Sequence, residues 1–181
     1  MTMIDSEKLR FWWKDRDFMK NRYVKVIFSI AEYFLTLLIF YATTVPIHEW
    51  FHLEVAQFFG GDGVIVKTVY GGAMRFTSMP DGLIGLTATA FAGGIGVALI
   101  YSLIASLDWL DDIEQFAAMI PLITSQLAYG LAEGIFLFSV SLQEFFDIAQ
   151  IALAIGWVVG LIISFLYIAN HLWGPFWGNK E

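Results

Sequence analysis

The chain has 181 residues, 58% of them hydrophobic and 15% charged, with a formal net charge of −7. A mean hydropathy of +0.67 is too apolar for an ordinary water-soluble domain of this length, so the lipid bilayer is the expected solvent. Cysteine is absent, which excludes disulfides and thiolate metal sites; nothing resembles a nucleic-acid module, a glycine-rich phosphate loop or a serine triad, and nucleic acid is not an expected partner.

Seven of the ten Lys and Arg residues lie between Lys8 and Lys25, mixed with Phe11, Trp12, Trp13 and Phe18. The positive-inside rule keeps residues 1–25 cytoplasmic, as a short amphipathic helix at the interface or as a solvated basic tail. The following apolar run is too long for a signal-peptide core and carries the chain's histidine motif, so it reads as part of an integral membrane protein, with the cell membrane as the expected location. That run, Val26 to Gly60, contains Glu32, His48, Glu49, His52 and Glu54. As a helix it measures roughly 50 Å against a hydrocarbon thickness of ~30 Å, so it must tilt, protrude or break, and Pro46 is a plausible kink.

Between this span and the next, Val64, Val66, Thr68 and Tyr70 alternate with their neighbours, Gly71 and Gly72 punctuate, and Met74, Phe76 and Ser78 resume the alternation. The pattern predicts a β-hairpin over 63–78, whose open edge needs shielding from lipid and offers a place for an extended peptide to pair. Leu83 to Leu107 is uncharged and predicts a second span; "DWLDDIE" at 108–114 solvates a turn; Phe116 to Leu142, with Glu133 as its one charge, predicts a third. Ser141 followed by Glu144 has the form of a capping box, giving Glu144 and Asp147 a role at a helix N-terminus. Ile148 to Ala169 predicts the fourth span, and His171 with Trp173, Pro175 and Trp177 reads as an interfacial anchor before a tail at 173–181. The expected fold is therefore an all-α membrane protein, a bundle of about four transmembrane helices at 26–172 with a small β-hairpin between the first two.

His48 and His52 stand four residues apart, on one face of a helix, where both rings can reach one ion. Glu49 stands beside them as a general base, and the H-E-x-x-H spacing is that of zinc metalloproteases, making Zn²⁺ the expected cofactor. Ionisable groups at membrane depth are functional-site candidates; packing of the bundle through interhelical hydrogen bonds is the plain alternative. A catalytic zinc takes three protein ligands, and the third is an acid: Glu133, which is expensive inside a span unless paired or metal-bound, or alternatively Asp147. Gln126 and Tyr129 share a helical face with Glu133 and could orient water, the ligand or a substrate carbonyl, or simply make interhelical hydrogen bonds.

The order of these features over roughly residues 36–140 resembles the site-2 protease family of intramembrane zinc metalloproteases. His48, Glu49 and His52 match its H-E-x-x-H, with Ala56 and Gly60 at the family's alanine and glycine positions. "VYGGAMRF" at 69–76 is similar to its glycine-paired hairpin, Ala92, Gly93 and Gly94 to its Ala-Gly-Pro element, and Glu133-Gly134 to its Asp-Gly motif. The departures are Phe51 for the glycine before the second histidine, Gly94 for proline, Val97 for asparagine, and "SQLAY" at 125–129 for the Asn-Pro element. The resemblance implies cleavage of a partner's transmembrane helix within the bilayer. Two other classes fit the residues: an inactive protease-like subunit of a larger membrane complex, or a small metal-ion carrier.

Overall fold

The computed structural model describes residues 22–67, 72–107 and 113–177. Residues 1–21 of the basic segment predicted at 1–25, the tip of the hairpin, most of the 108–114 turn and the last four residues of the tail lie outside them, and residues 22–25 form the start of the first helix. Four helices are described, α1 (Arg22–Phe58), α2 (Gly82–Ser106), α3 (Ile113–Phe136) and α4 (Leu142–Trp177), with strands β1 (Asp62–Val66) and β2 (Ala73–Ser78) between α1 and α2. Among the described residues, three segments are long and apolar enough to cross a membrane: Val26–Phe58, Gly82–Ser106 and Gln143–His171. These carry the broad apolar surfaces expected of lipid-facing helices, such as Ile27, Phe34, Leu35 and Leu38 on α1 and Ile155, Val158, Ile162 and Phe165 on α4.

α3 is not among the three, and its position explains its polarity. It packs against all three other helices, so its polar residues Ser125, Gln126 and Glu133 are buried in protein. It is also shorter than the predicted third span. The chain leaves the helix at Phe136, where the Ser139 and Val140 amides close a turn onto the Phe136 carbonyl. α4 then begins at the Ser141 cap: Ser141 N and Oγ donate to Glu144 Oε2 at 3.0 and 2.6 Å, and the Glu144 amide turns back to Ser141 Oγ. The reciprocal cap predicted from sequence thus cuts the apolar run that the span prediction had carried through to Leu142.

α1 carries Pro46 without ending there. It stops at a Schellman turn: Gly60 has φ +78° and its amide reaches Gln57 O, while Gly61 N reaches Ala56 O. A left-handed residue in that turn favours glycine. The Asp81 amide bonds Phe59 O, pinning the hairpin's exit to its entrance. The strands pair antiparallel, Val64 with Arg75, Ile65 with Met74 and Val66 with Ala73, with an irregularity at Asp62/Gly63. At the hairpin's foot, the Gln57 side chain and the Gly63 amide donate to Asp62, and hold its carboxyl below its ordinary pKa.

The core lies where α1, α2 and α3 meet, around Val97, Tyr101, Met119 and Leu122, with Leu37, Phe40, Ile47 and Trp157 packed on it. Tyr101 is fully buried, and its hydroxyl donates to the Phe40 carbonyl at 2.6 Å beside Thr43 and Thr44. A buried phenol needs such a partner to remain stabilising. Small residues set the helix spacing. Gly94 meets the backbone of Gly130, and Gly156 and Gly160 of α4 meet the α3 backbone at Ser125 and Pro121.

Candidate metal centre

His48 and His52 project from successive turns of α1, both buried, with ring centroids 4.6 Å apart and Nε2 atoms 3.0 Å apart. The two ring nitrogens of His52 have different duties. His52 Nδ1 lies 2.6 Å from the Thr89 carbonyl, which can only accept, so Nδ1 carries the proton and Nε2 is left bare toward the cluster. This is the backbone contact that fixes the tautomer of a metal-ligating histidine.

Glu133 of α3 completes the group. Its Oε2 is 3.2 Å from His48 Nε2 and 3.5 Å from His52 Nε2, and Oε1 is 3.4 Å from His48 Nε2. Three ligand atoms, one from each residue, lie within 4.8 Å of one another, all on buried side chains, so the group could hold a metal ion. Zinc bonds of ~2.0–2.1 Å at tetrahedral angles put ligand atoms roughly 3.3 Å apart, and the separations of 3.0, 3.2 and 3.5 Å bracket that edge length. Two further observations fit an ion. Glu133 Oε2 is buried without a hydrogen-bond donor, and the α2 backbone closes the cluster at Gly93, where a β-carbon would press on both Nε2 atoms.

The remaining predicted site residues fall into three places. Tyr129, one turn before Glu133, sets its ring edge-on to His48 at 5.3 Å with its hydroxyl near Glu133. Gln126 is buried on the same helix, and its side-chain carbonyl has no hydrogen-bond partner. Glu49 is half-buried and faces the hairpin, where its Oε2 accepts the Met74 backbone amide. Asp147 is elsewhere: it is exposed near the start of α4, accepts a hydrogen bond from Gln143 at 3.2 Å, and is not part of the cluster. His171 is likewise exposed, bonded to the Tyr167 carbonyl.

Sequence reasoning missed the Thr89 carbonyl and the Met74 amide. Both are backbone groups, which no residue type advertises. The pairing of Phe51 with Gly96 was legible only as a departure: a β-carbon at 96 would strike the Phe51 ring, so this glycine receives the bulky side chain standing before His52. No protein-family model, curated protein or solved structure matches this chain.

Proposed function

We propose that this chain is an intramembrane zinc metalloprotease of the site-2 type, embedded in the cell membrane with its N-terminal segment cytoplasmic and with α3 crossing as a fourth, protein-shielded span. The observation that carries the reading is the buried His48–His52–Glu133 triangle with tetrahedral edge lengths, next to a carboxylate, Glu49, on the same helix. A bound Zn²⁺ would supply Lewis acidity toward a peptide carbonyl and make water acidic enough to react near neutral pH.

The chain's own residues supply the rest. The Thr89 carbonyl holds the His52 ring in register, and the Tyr129 ring packs edge-on against His48. Glu49 accepts a proton from water as the water oxygen bonds the scissile carbonyl carbon. It returns that proton to the amide nitrogen as the C–N bond breaks. The substrate is a transmembrane helix unwound locally so that its peptide bonds are accessible, held as an extended segment against the hairpin.

Metal analysis of purified wild type, Glu49→Gln and Glu133→Ala, with cleavage assays in reconstituted bilayers, tests this. Zinc in wild type and Glu49→Gln, with cleavage in wild type alone, is the expected pattern; cleavage by Glu49→Gln, or zinc absent from wild type, refutes it. A second reading, a protease-like subunit without activity, draws on one observation, that Glu49 is already engaged by Met74. It predicts zinc in the wild type with no hydrolysis of any peptide.

A further inference from the structure

The hairpin brings to the candidate centre a group that the metal-site reading leaves without a role, the backbone amide of Met74. Met74 pairs with Ile65 of β1, yet its N–H is directed to Glu49 Oε2. In an antiparallel pair a residue turns both of its backbone groups either into the ladder or away from it. Met74 therefore turns its N–H and C=O outward, and the outer edge of β2 is the edge that faces α1 and the metal cluster. Among the described residues the sheet has two strands, and none of them pairs with that edge. Gly72, entering β2, runs close over the same carboxylate: a β-carbon there would lie 3.6 Å from both Glu49 Cγ and Val45 Cγ1.

We infer that the Met74 amide is a substrate-operated latch on the base. This rests on the protease reading above. Without substrate, the amide occupies one oxygen of Glu49 and ties the carboxylate to the hairpin. An extended peptide that adds to the β2 edge offers a main-chain carbonyl to the same amide. The peptide carbonyl replaces Glu49 as acceptor, and the freed carboxylate turns to the water. Substrate pairing and release of the base are then one exchange of hydrogen-bond partners, with no net loss of bonds. The latch also selects its substrate. A peptide still in an α-helix has its carbonyls bonded to its own amides and has none to offer, so an intact transmembrane helix leaves the base tied while an unwound segment frees it.

Amide hydrogen exchange and peptide hydrolysis on the full chain in bilayer discs test this. Glu49→Ala removes the acceptor and is expected to speed exchange at Met74 about tenfold, the weight of one hydrogen bond to a charged group. Glu49→Gln, which keeps an acceptor oxygen, retains most of the protection. Met74→Pro deletes the N–H at an outward-facing edge position, where proline costs the ladder no bond. It is expected to raise hydrolysis of a tripeptide too short to form a strand several-fold while lowering hydrolysis of a twelve-residue extended peptide. Arg75→Ala, an exposed neighbour on β2, changes neither. Equal Met74 exchange in wild type and Glu49→Ala overturns the latch whether or not the protein cleaves anything, as does a Met74→Pro variant that slows both peptides alike. Absence of cleavage by every variant, with zinc bound and the exchange difference present, overturns the protease reading instead and reduces the contact to a structural tie.

Discussion

Replacing Gly93 by alanine adds one methyl group to α2, at the point where its backbone closes the imidazole pair. The new β-carbon would stand 2.6 Å from His48 Nε2 and closer still to His52 Nε2, against 3.4 Å for the near limit of ordinary contact. About 0.8 Å or more of displacement is therefore required, shared among α2 and the two rings. Neither ring swings freely: His52 is tied to Thr89 O on the same helix that must move, and the His48 ring packs against those of His52 and Tyr129. Overpacking of this kind costs about 1–3 kcal/mol in stability. The larger effect falls on metal binding, since zinc bonds tolerate only ~0.2 Å of misplacement, and loss of zinc affinity by at least about a hundredfold is expected. The assay is zinc stoichiometry and chelator competition on detergent-purified protein, with thermal unfolding measured in parallel. Gly96→Ala is the control: its β-carbon would strike the Phe51 ring, so it costs comparable stability without touching a ligand atom. Gly93→Ala binding zinc as tightly as wild type, or Gly96→Ala losing zinc to the same degree, would refute the placement of the ion between α1 and α2.

Glu133→Ala should reduce retained zinc by about two orders of magnitude or more, whereas Asp147→Ala should leave it unchanged; metal analysis by mass spectrometry after dialysis distinguishes the two acids. Acidification from pH 7 to about 5 should release zinc progressively, because protons compete for imidazole and carboxylate ligands, and a chelator-coupled titration measures it. Tyr101→Phe removes the donor to the Phe40 carbonyl in a fully buried setting, and should lower stability by about 1–2 kcal/mol in unfolding experiments with zinc content unaltered.

The parts of this molecule that were legible in its sequence are those where side-chain chemistry repeats with helical or strand period. Four residues between His48 and His52 put both rings on one face, and alternation over 63–78 marked the hairpin. A single carboxylate in an apolar run marked Glu133, and the Ser141/Glu144 pair marked the start of α4. What failed was the boundary of the third helix. An apolar side chain does not distinguish a turn from a helix, so Leu137 and Phe138, half-buried and exposed, gave no sign that α3 had ended at Phe136. The groups that finish the centre were illegible for a different reason. Thr89 and Met74 act through their backbones, and the backbone's direction is set by packing against α1, which is a tertiary fact.

The small residues of α2 acquire a more specific role once all three faces of that helix are considered together. Two imidazoles on α1 and a carboxylate on α3 make up the candidate centre, and α2 packs against both of these helices. A buried carboxylate is costly unless it is paired, so Glu133 is tolerable only if α3 comes close enough to bring it to the histidines. Gly93 lets α2 lie against the rings, Gly94 lets it cross Gly130 of α3 backbone to backbone, and Gly96 makes room for Phe51 on α1. A side chain at any of the three would widen one of the two crossings. At 93 or 94 the widening separates Glu133 from His48 and His52; at 96 it displaces the aromatic residue adjacent to His52. Gly93 and Gly94 thus act on the same quantity, how closely α2 packs against the two helices that carry His48, His52 and Glu133, and the 3.2 and 3.5 Å separations of Glu133 from the two rings go with that close packing, while Gly96 only seats Phe51.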